Sequence, residues 1–534
     1  MAQTTAPTSS RGPGRRIPRV GVPGSAVRRL GVRALDPATS KRLGDQPAPS
    51  PTAYVGDCLL VRGLVQGRAG GPIAALRELL KDRYSVEERR ETGLGDLFAR
   101  LELTEELDRV GTTSVVIAPL TGVAVEPPDA WKILQDLRAA DPGAARSVEL
   151  CHVMVGTGYG EGVGYGEGVG YGEGVGYGEG VGYGEGVGYG EGVGLAGLPG
   201  GGPSGRSPVT LAAPNPCPET MPKGPVVALL DTGIGRHEWF ERGVIRDVEV
   251  GGEPVGLVFT AEDDPENTGV TIDRVNGVLD RLAGHGTFIA GIVRQHCPEA
   301  TLMAVPVMYG DGVADEAVVV DALQLLYARQ LLALRDPERW GPLVDVLSLS
   351  LGYYHETVGT FDDEGALVTA LKALASTGVA VVAAAGNGAS DVEFFPAAFA
   401  VGSGFAVPLV SVGAHNPGGR NKGGRTVSVY SNTGTWVKGY RCGTAVVSTM
   451  PTTFDGSIRS VLNLPGSKNP TRGSIDLDDY SGGFGQWSGT SFAAPALAGD
   501  VAAWLVTHAT PDADAAARVK LAGRAVAAAV KGDH

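Results

Sequence analysis

Residues 226–235 read Val-Val-Ala-Leu-Leu-Asp-Thr-Gly-Ile-Gly, an apolar run that ends in a carboxylate and a glycine-bearing turn. A short run that is apolar at every position predicts a strand buried on both faces. Further runs of this kind follow at 302–307, 344–349 and 379–385, and helical patterns cover 287–295, 315–334, 364–376 and 492–508. This alternation predicts an α/β fold, a parallel sheet sandwiched by helices.

Three residue types that form a nucleophilic site lie where this fold binds ligands, at strand ends and helix starts. Asp231 ends the first strand, His285 opens one predicted helix, and Ser491 opens another. A serine hydroxyl becomes a nucleophile when a base removes its proton, and the base needs a carboxylate to fix its tautomer. The order Asp, His, Ser therefore predicts a catalytic triad.

The segments around these residues resemble the signature blocks of the subtilisin-like serine peptidases. The blocks are Asp-Thr-Gly-Ile at 231–234, Gly-His-Gly-Thr-Phe-Ile-Ala-Gly at 284–291 and Gly-Thr-Ser-Phe-Ala-Ala-Pro at 489–495. The resemblance covers about 223–508 and implies a serine endopeptidase that hydrolyses protein or peptide substrates. It also implies a subtilisin-like catalytic domain, which we expect over 223–534.

Two further segments are similar to substrate-binding parts of that family. Ser350-Leu351-Gly352 resembles the stretch that pairs with the substrate backbone, and Ala384-Ala385-Gly386-Asn387 resembles the segment beside the oxyanion. The resemblance implies that the Asn387 side chain and the backbone N–H of Ser491 stabilise the oxyanion.

The sequence before the predicted catalytic domain divides into three parts. Residues 1–51 are basic and rich in Pro, Ser and Thr, which predicts a disordered arm. Residues 52–155 have the texture of a small α+β domain, and 156–222 form a Gly-rich linker with six copies of Tyr-Gly-Glu-Gly-Val-Gly at 159–194. Many family members carry an α+β propeptide, so 52–155 is either a propeptide or a permanent regulatory module.

Composition limits the remaining possibilities. With 45 basic and 59 acidic residues the net charge is −14, which argues against nucleic-acid binding. No apolar run predicts a signal sequence or a membrane span, so we expect a cytoplasmic protein that does not bind membranes. We expect no cofactor and assign no metal; calcium is common in the family, but no ligand loop aligns, and the acidic segment 262–267 is interpreted as a surface insertion. The oligomeric state stays undetermined.

Two other functions compete with this interpretation. Asp231-Thr232-Gly233 also fits the motif of aspartic peptidases, but those enzymes need a second such motif or a homodimer, and the chain has no second copy. The other alternative is a catalytically inactive binding or scaffold protein on a peptidase fold, since a fold does not guarantee activity.

Overall fold

The computed structural model describes residues 21–44, 46–63, 71–90, 93–157, 205–220, 224–357, 364–418, 425–456, 461–462, 472–473, 478–508 and 514–532. The hexapeptide repeat at 159–194 lies outside these residues. The helices are α1 (Gly24–Leu30), α2 (Pro72–Leu80), α3 (Leu94–Arg100), α4 (Thr104–Val110), α5 (Ala130–Ala140), α6 (Pro142–Ala145), α7 (His285–His296), α8 (Glu316–Arg335), α9 (Pro337–Trp340), α10 (Ala366–Ser376), α11 (Thr490–His508) and α12 (Ala515–Lys531).

The strands are β1 (Val32–Leu35), β2 (Thr52–Arg62), β3 (Tyr84–Glu88), β4 (Thr112–Pro119), β5 (Val148–Gly156), β6 (Ser207–Pro208), β7 (Val226–Asp231), β8 (Val244–Ile245), β9 (Glu249–Val250), β10 (Glu253–Pro254), β11 (Thr301–Pro306), β12 (Val313–Asp315), β13 (Val346–Leu349), β14 (Leu351–Tyr354), β15 (Ala380–Ala384), β16 (Phe394–Phe395), β17 (Val410–His415), β18 (Gly439–Cys442), β19 (Val446–Thr449), β20 (Val461–Leu462), β21 (Arg472–Gly473) and β22 (Phe484–Trp487).

A seven-stranded parallel sheet forms the centre of the C-terminal part, in the order β18-β17-β15-β13-β7-β11-β8. Every residue of β7, β13 and β15 is buried, as the apolar runs predicted. Helices α7 and α11 contact each other and the sheet, and α8 contacts α10. The prediction of an α/β fold with a parallel sheet and covering helices is confirmed.

The carboxyl ends of three neighbouring strands meet at one edge of this sheet. β7 ends at Asp231, β13 is followed by Ser350, and β15 is followed by the segment that carries Asn387. Parallel strands bring their carboxyl ends to the same edge. The fold therefore gathers residues that are far apart in the sequence at one site.

The N-terminal part is built on an antiparallel sheet in which β5, β2, β4 and β3 are neighbours. One face of β2 and β5, which includes Leu59 and Leu150, packs with α2 and α5 in a hydrophobic cluster of its own. Residues of opposite alternation, such as Leu60 and Val153, join the core that continues into the C-terminal part. The two-residue period of a strand explains this division.

The structure corrects the predicted disordered arm over 1–51 in its described part, 21–44 and 46–51, whereas 1–20 lie outside the described residues. Within it α1 is formed, and β1 pairs with β2 from Val32↔Val55 to Leu35↔Thr52. Ala26 and Leu35 are buried, so a few apolar residues anchor a segment whose overall composition is polar and basic. Composition averages over the arm and misses these anchors.

The predicted linker over 156–222 also needs correction at its end, because β6 pairs with β22. The buried Arg206 guanidinium donates hydrogen bonds to the carbonyls of Asp280, Arg281 and Ala283. Of the described helices, α8 alone is long and apolar enough to cross a membrane, and 78% of its most apolar window is buried in the protein. Core helices pass the same test.

Candidate active site

Asp231 and His285 are joined by a hydrogen bond of 2.8 Å between Asp231 Oδ1 and His285 Nδ1, and both side chains are buried. His285 is the first residue of α7, and Gly284 before it has φ +79°. A side chain at Gly284 would be strained, and its Cβ would lie 2.7 Å from Met450 Cε. This turn aims the imidazole at the end of β7.

Ser491 lies in the first turn of α11 and is fully buried. Its Oγ is 2.8 Å from Thr157 Oγ1 and 3.3 Å from the carbonyl of Ser350, to which it donates. His285 Nε2 is buried and makes no hydrogen bond to any described residue. In this structure the serine hydroxyl therefore bonds to Thr157 and Ser350, and the imidazole nitrogen on its free side has no partner.

The Asn387 amide donates from Nδ2 to the carbonyl of Thr157 at 2.7 Å. Its Oδ1 accepts hydrogen bonds from the N–H and the hydroxyl of Thr490, at 3.0 and 2.9 Å. Two donors on Oδ1 fix which way the amide faces, so Nδ2 points to the carbonyl. The Ser491 N–H donates to the same carbonyl at 3.2 Å. The motif around Ser491 includes Thr490, but the sequence did not predict that Thr490 orients the Asn387 amide.

The end of β5 lies in a groove between β14 and β12. β5 pairs antiparallel with β14 through Leu351↔Gly156 and Gly352↔Val155, and antiparallel with β12 on its other side. The Thr157 N–H donates to the carbonyl of Ser350 at 2.8 Å. Extended segments held by main-chain hydrogen bonds on both sides are what peptide-binding clefts accept. The predicted substrate-pairing segment therefore pairs with the protein's own chain.

The residues Ala384, Ala385 and Gly386 are buried. The Ala385 N–H donates to the carbonyl of Val412, the Gly386 N–H donates to the Thr490 hydroxyl at 3.1 Å, and no hydrogen bond of these three residues to β5 is found in the described part of the chain. Their contacts hold the turn that presents Asn387.

Glu266 was not predicted as a site residue, and the structure corrects the interpretation of 262–267 as a surface insertion. The Glu266 side chain is 2% exposed, accepts hydrogen bonds from the hydroxyls of Thr232 and Thr287, and accepts the Gly286 N–H at 3.2 Å. Burial raises the pKa of its carboxyl to about 8, although the threonine hydroxyls act in the opposite direction. The acidic composition of the segment hid this buried role.

Thr232 connects Glu266 to the Asp231–His285 pair. The Thr232 hydroxyl is within hydrogen-bonding distance of Asp231 Oδ1, at 3.1 Å, as well as of Glu266, and it accepts the Gly286 N–H at 2.8 Å. A hydroxyl has one proton, so Thr232 donates to only one carboxylate at a time. A protonated Glu266 leaves that proton to Asp231.

A second buried charged group, also not predicted, surrounds His152 of β5. Its Nδ1 lies 2.7 Å from Glu316 Oε2, its Nε2 lies 2.8 Å from Glu356 Oε2, and its ring stacks on Tyr353 at 4.2 Å. Burial opposes protonation of the ring, but the charges of Glu316 and Glu356 outweigh burial and raise the pKa of His152 to about 10. An imidazolium between two carboxylates accounts for both distances.

In the described part of the chain, the side chains that could approach one metal ion are His152, His355 and Glu356. Two imidazoles do not suit calcium, which takes oxygen ligands. The 2.8 Å separation of His152 Nε2 and Glu356 Oε2 is that of a hydrogen bond. We therefore assign no metal to this group.

Comparison with known proteins places the chain in a family. The model of the subtilase family matches residues 222–528, more than half of the chain. A comparison with curated protein sequences gives no match.

Three similar solved structures are all subtilisin-like or psychrophilic proteases. Fervidolysin from Fervidobacterium pennivorans, a keratinolytic enzyme related to subtilisin, is 16% identical with a TM-score of 0.44; the alignment covers 89% of this chain and 57% of that one. A cold-adapted subtilisin-like serine proteinase is 20% identical with a TM-score of 0.35, and the alignment covers 59% of this chain and 82% of that one. The psychrophilic protease S41 is 23% identical with a TM-score of 0.36, and the alignment covers 57% of this chain and 82% of that one. The chain thus spans little more than half the length of fervidolysin. On the family match, the chain belongs to the subtilase family.

Proposed function

We propose that the chain is a serine endopeptidase in which Ser491 is the nucleophile, His285 the general base and Asp231 the residue that orients it. Asn387 Nδ2 and the Ser491 N–H form the oxyanion hole. The observation that supports this most is a peptide carbonyl, that of Thr157, which accepts hydrogen bonds from both groups. Two convergent donors on a carbonyl beside a buried serine are what acyl transfer requires.

The chemistry follows from these contacts. Ser491 Oγ attacks the carbonyl carbon, its proton passes to His285 Nε2, and the negative charge on the carbonyl oxygen is held by the two donors. His285 then gives the proton to the leaving amine, and a water molecule, activated in the same way, hydrolyses the acyl-enzyme. For the first step Ser491 has to turn from its present partners to His285 Nε2, which is the buried nitrogen left without one.

We further infer that the N-terminal part, predicted over 52–155, is a propeptide that the enzyme removes by cutting after Thr157. The strand that ends there occupies the groove of the substrate-pairing segment in extended form. The bond between Thr157 and Gly158 is the one whose carbonyl meets the two donors. The N-terminal part is then both the first substrate and, after cleavage, an inhibitor of the cleft.

Active-site labelling combined with mass spectrometry tests both points. We expect a fluorophosphonate to label matured wild-type protein, whose N-terminal fragment ends at Thr157, whereas Ser491→Ala stays whole and unlabelled. The exposed Ser481 provides the matched control, because Ser481→Ala should behave like wild type. Absence of labelling in wild type would favour the inactive scaffold. Labelling without cleavage would make the N-terminal part a permanent module.

The predictions on substrates, calcium and cellular location rest on different observations. Membership of the subtilase family implies protein or peptide substrates and excludes the aspartic peptidase alternative. Subtilases commonly bind calcium, and we assign no calcium ligands among the described residues. Cytoplasmic residence stays a prediction from the sequence.

A further inference from the structure

Gly156 lies directly before Thr157, the residue whose carbonyl meets the oxyanion donors. Under the proposed function it is the P2 residue, the second residue before the cleaved bond, and it occupies the S2 subsite. Its N–H donates to the carbonyl of Gly312 at 2.8 Å, so its backbone is fixed against the groove wall. The position of a side chain at P2 is therefore determined by the backbone.

A side chain at this position has no room. A Cβ built on Gly156 would lie 2.5 Å from Leu282 Cδ1, 2.9 Å from Met308 Sδ and 3.0 Å from Met308 Cε. Carbon atoms in contact prefer about 3.5–4.0 Å. The first carbon of any other residue would overlap two side chains.

Leu282 and Met308 meet this Cβ with the ends of their side chains, and both are buried while β5 is bound, which limits how far these ends can shift. Leu282 is 2% exposed and Met308 is fully buried. Leu282 also packs on a second backbone, because a Cβ on Gly312 would lie 2.7 Å from the same Leu282 Cδ1. Leu282 is wedged between Gly156 and Gly312, and interiors packed this closely resist the insertion of extra carbons.

We propose that Leu282 and Met308 make the S2 subsite specific for glycine at P2, so that the enzyme selects glycine-containing, extended peptide segments. This proposal rests on the proposed peptidase function. The restriction does not extend to P3 and P4, since Val155 and Met154 of β5 carry large side chains that are buried in the complex.

The glycine-rich repeat has the sequence that such a subsite accepts. Val155-Gly156-Thr157-Gly158 is followed by five copies of Val-Gly-Tyr-Gly, beginning at 163, 169, 175, 181 and 187. Each copy offers Val at P3, Gly at P2 and Gly after the cleaved bond. A peptide of this repeat is therefore an expected substrate of the same cleft.

Matched peptides test the proposal on the matured enzyme. We expect a fluorogenic peptide with Met-Val-Gly-Thr before the cleaved bond to be hydrolysed with a kcat/KM about 10- to 200-fold higher than one with Met-Val-Ala-Thr, the range expected for a single misfitting carbon. A peptide with Leu at P2 should be poorer still. A repeat peptide should be cut after tyrosine.

Leu282→Ala should lower the ratio of Gly to Ala peptide turnover by at least about tenfold, because it removes the atoms that meet the Cβ. Equal hydrolysis of the Gly and Ala peptides by wild type, within about threefold, would overturn the specificity while leaving the peptidase intact. Loss of fluorophosphonate labelling would instead defeat the proposed function itself.

Discussion

The parallel sheet of the C-terminal part and the antiparallel sheet of the N-terminal part are held in the molecule by different forces. The central strands of the first, β7, β13 and β15, are buried on both faces. The second has one apolar face on the C-terminal part, but charged pairs add to that contact: Arg89–Asp315, Arg90–Asp321, Arg29–Asp311 and His152–Glu316. Water can solvate these groups after separation, so under the proposed propeptide role the N-terminal sheet is the one that we expect to leave the molecule.

The difference separates two kinds of change. Substitutions at the edge of the parallel sheet should stop chemistry and leave the N-terminal part attached. Substitutions on the antiparallel side should leave the catalytic rate unchanged and weaken the attachment of the N-terminal part. A substitution that did both would break the comparison.

The largest effect is expected for Asp231→Asn. Asparagine keeps the geometry but stabilises the wrong tautomer of His285, which should lower kcat by about 10⁴ and slow removal of the N-terminal part equally. Steady-state hydrolysis and a time course of self-cleavage measure the two rates. A loss under about tenfold would mean that another carboxylate orients His285.

Asn387→Ala should lower kcat by about 10² to 10³ with KM nearly unchanged, because the amide donates mainly to the transition state. Thr490→Val removes the hydroxyl donor to Asn387 Oδ1 and should give a smaller loss of the same kind. Peptide hydrolysis over a range of substrate concentrations separates the parameters. A raised KM with unchanged kcat would make Asn387 a substrate-binding residue.

On the antiparallel side, His152→Ala should weaken the hold of the cleaved N-terminal part by about 10²- to 10³-fold, because it removes the cation that Glu316 and Glu356 share and leaves Glu356 with His355 at 3.5 Å. Activity should appear sooner after dilution of the cleaved complex, with the final kcat unchanged. His508→Ala, at an exposed histidine, is the control. If release did not change, the attachment of the N-terminal part would depend on β5 and the arginine ion pairs alone.

The contact of His152 with Glu316 and Glu356 makes the release of the N-terminal part depend on pH. Because the pKa of His152 rises to about 10 when the N-terminal part is bound, from 6.5 otherwise, its stabilisation is complete below pH 6.5 and is lost as the pH rises through about 10. Release should therefore accelerate between pH 7 and 10 in wild type. This acceleration should be absent in His152→Ala.

The smallest effect is expected for Glu266→Gln, which keeps a donor and an acceptor for Thr232 and Thr287 but cannot ionise. Since the pKa of Glu266 is raised from 4.5 to about 8 in the folded protein, its contribution to stability is present below pH 4.5 and lost as the pH rises through 8. With Ser491→Ala as the common background, the Tm of the protein that keeps Glu266 should fall relative to that of the Glu266→Gln variant across that range, on the order of 5 °C. A parallel pH course of the two proteins would refute the buried ionisation.

The parts that the sequence allowed us to predict depend on local patterns. Apolar runs placed β7 and β15, and short motifs identified Asp231 and Asn387 as candidates. Glu266 and His152 escaped because their neighbours are distant in the sequence, and each lies among residues whose type suggests a solvated loop or an ordinary strand. The role of Gly156 required the positions of Leu282 and Met308, which no spacing rule gives.

Finally, β5 contacts both the N-terminal and the C-terminal part, and it therefore fixes the distance between two points of contact. His152 is clamped by two glutamates at one end, and the Thr157 carbonyl is held at the other, with four residues between them. At about 3.3 Å per residue the two anchors are fixed some 16 Å apart along the strand. One inserted residue would turn every following side chain to the opposite face, and two would restore the faces but carry Thr157 about 7 Å past the serine. The position of the proposed first cut thus depends on its distance from the His152 contact as well as on the residues at the cut.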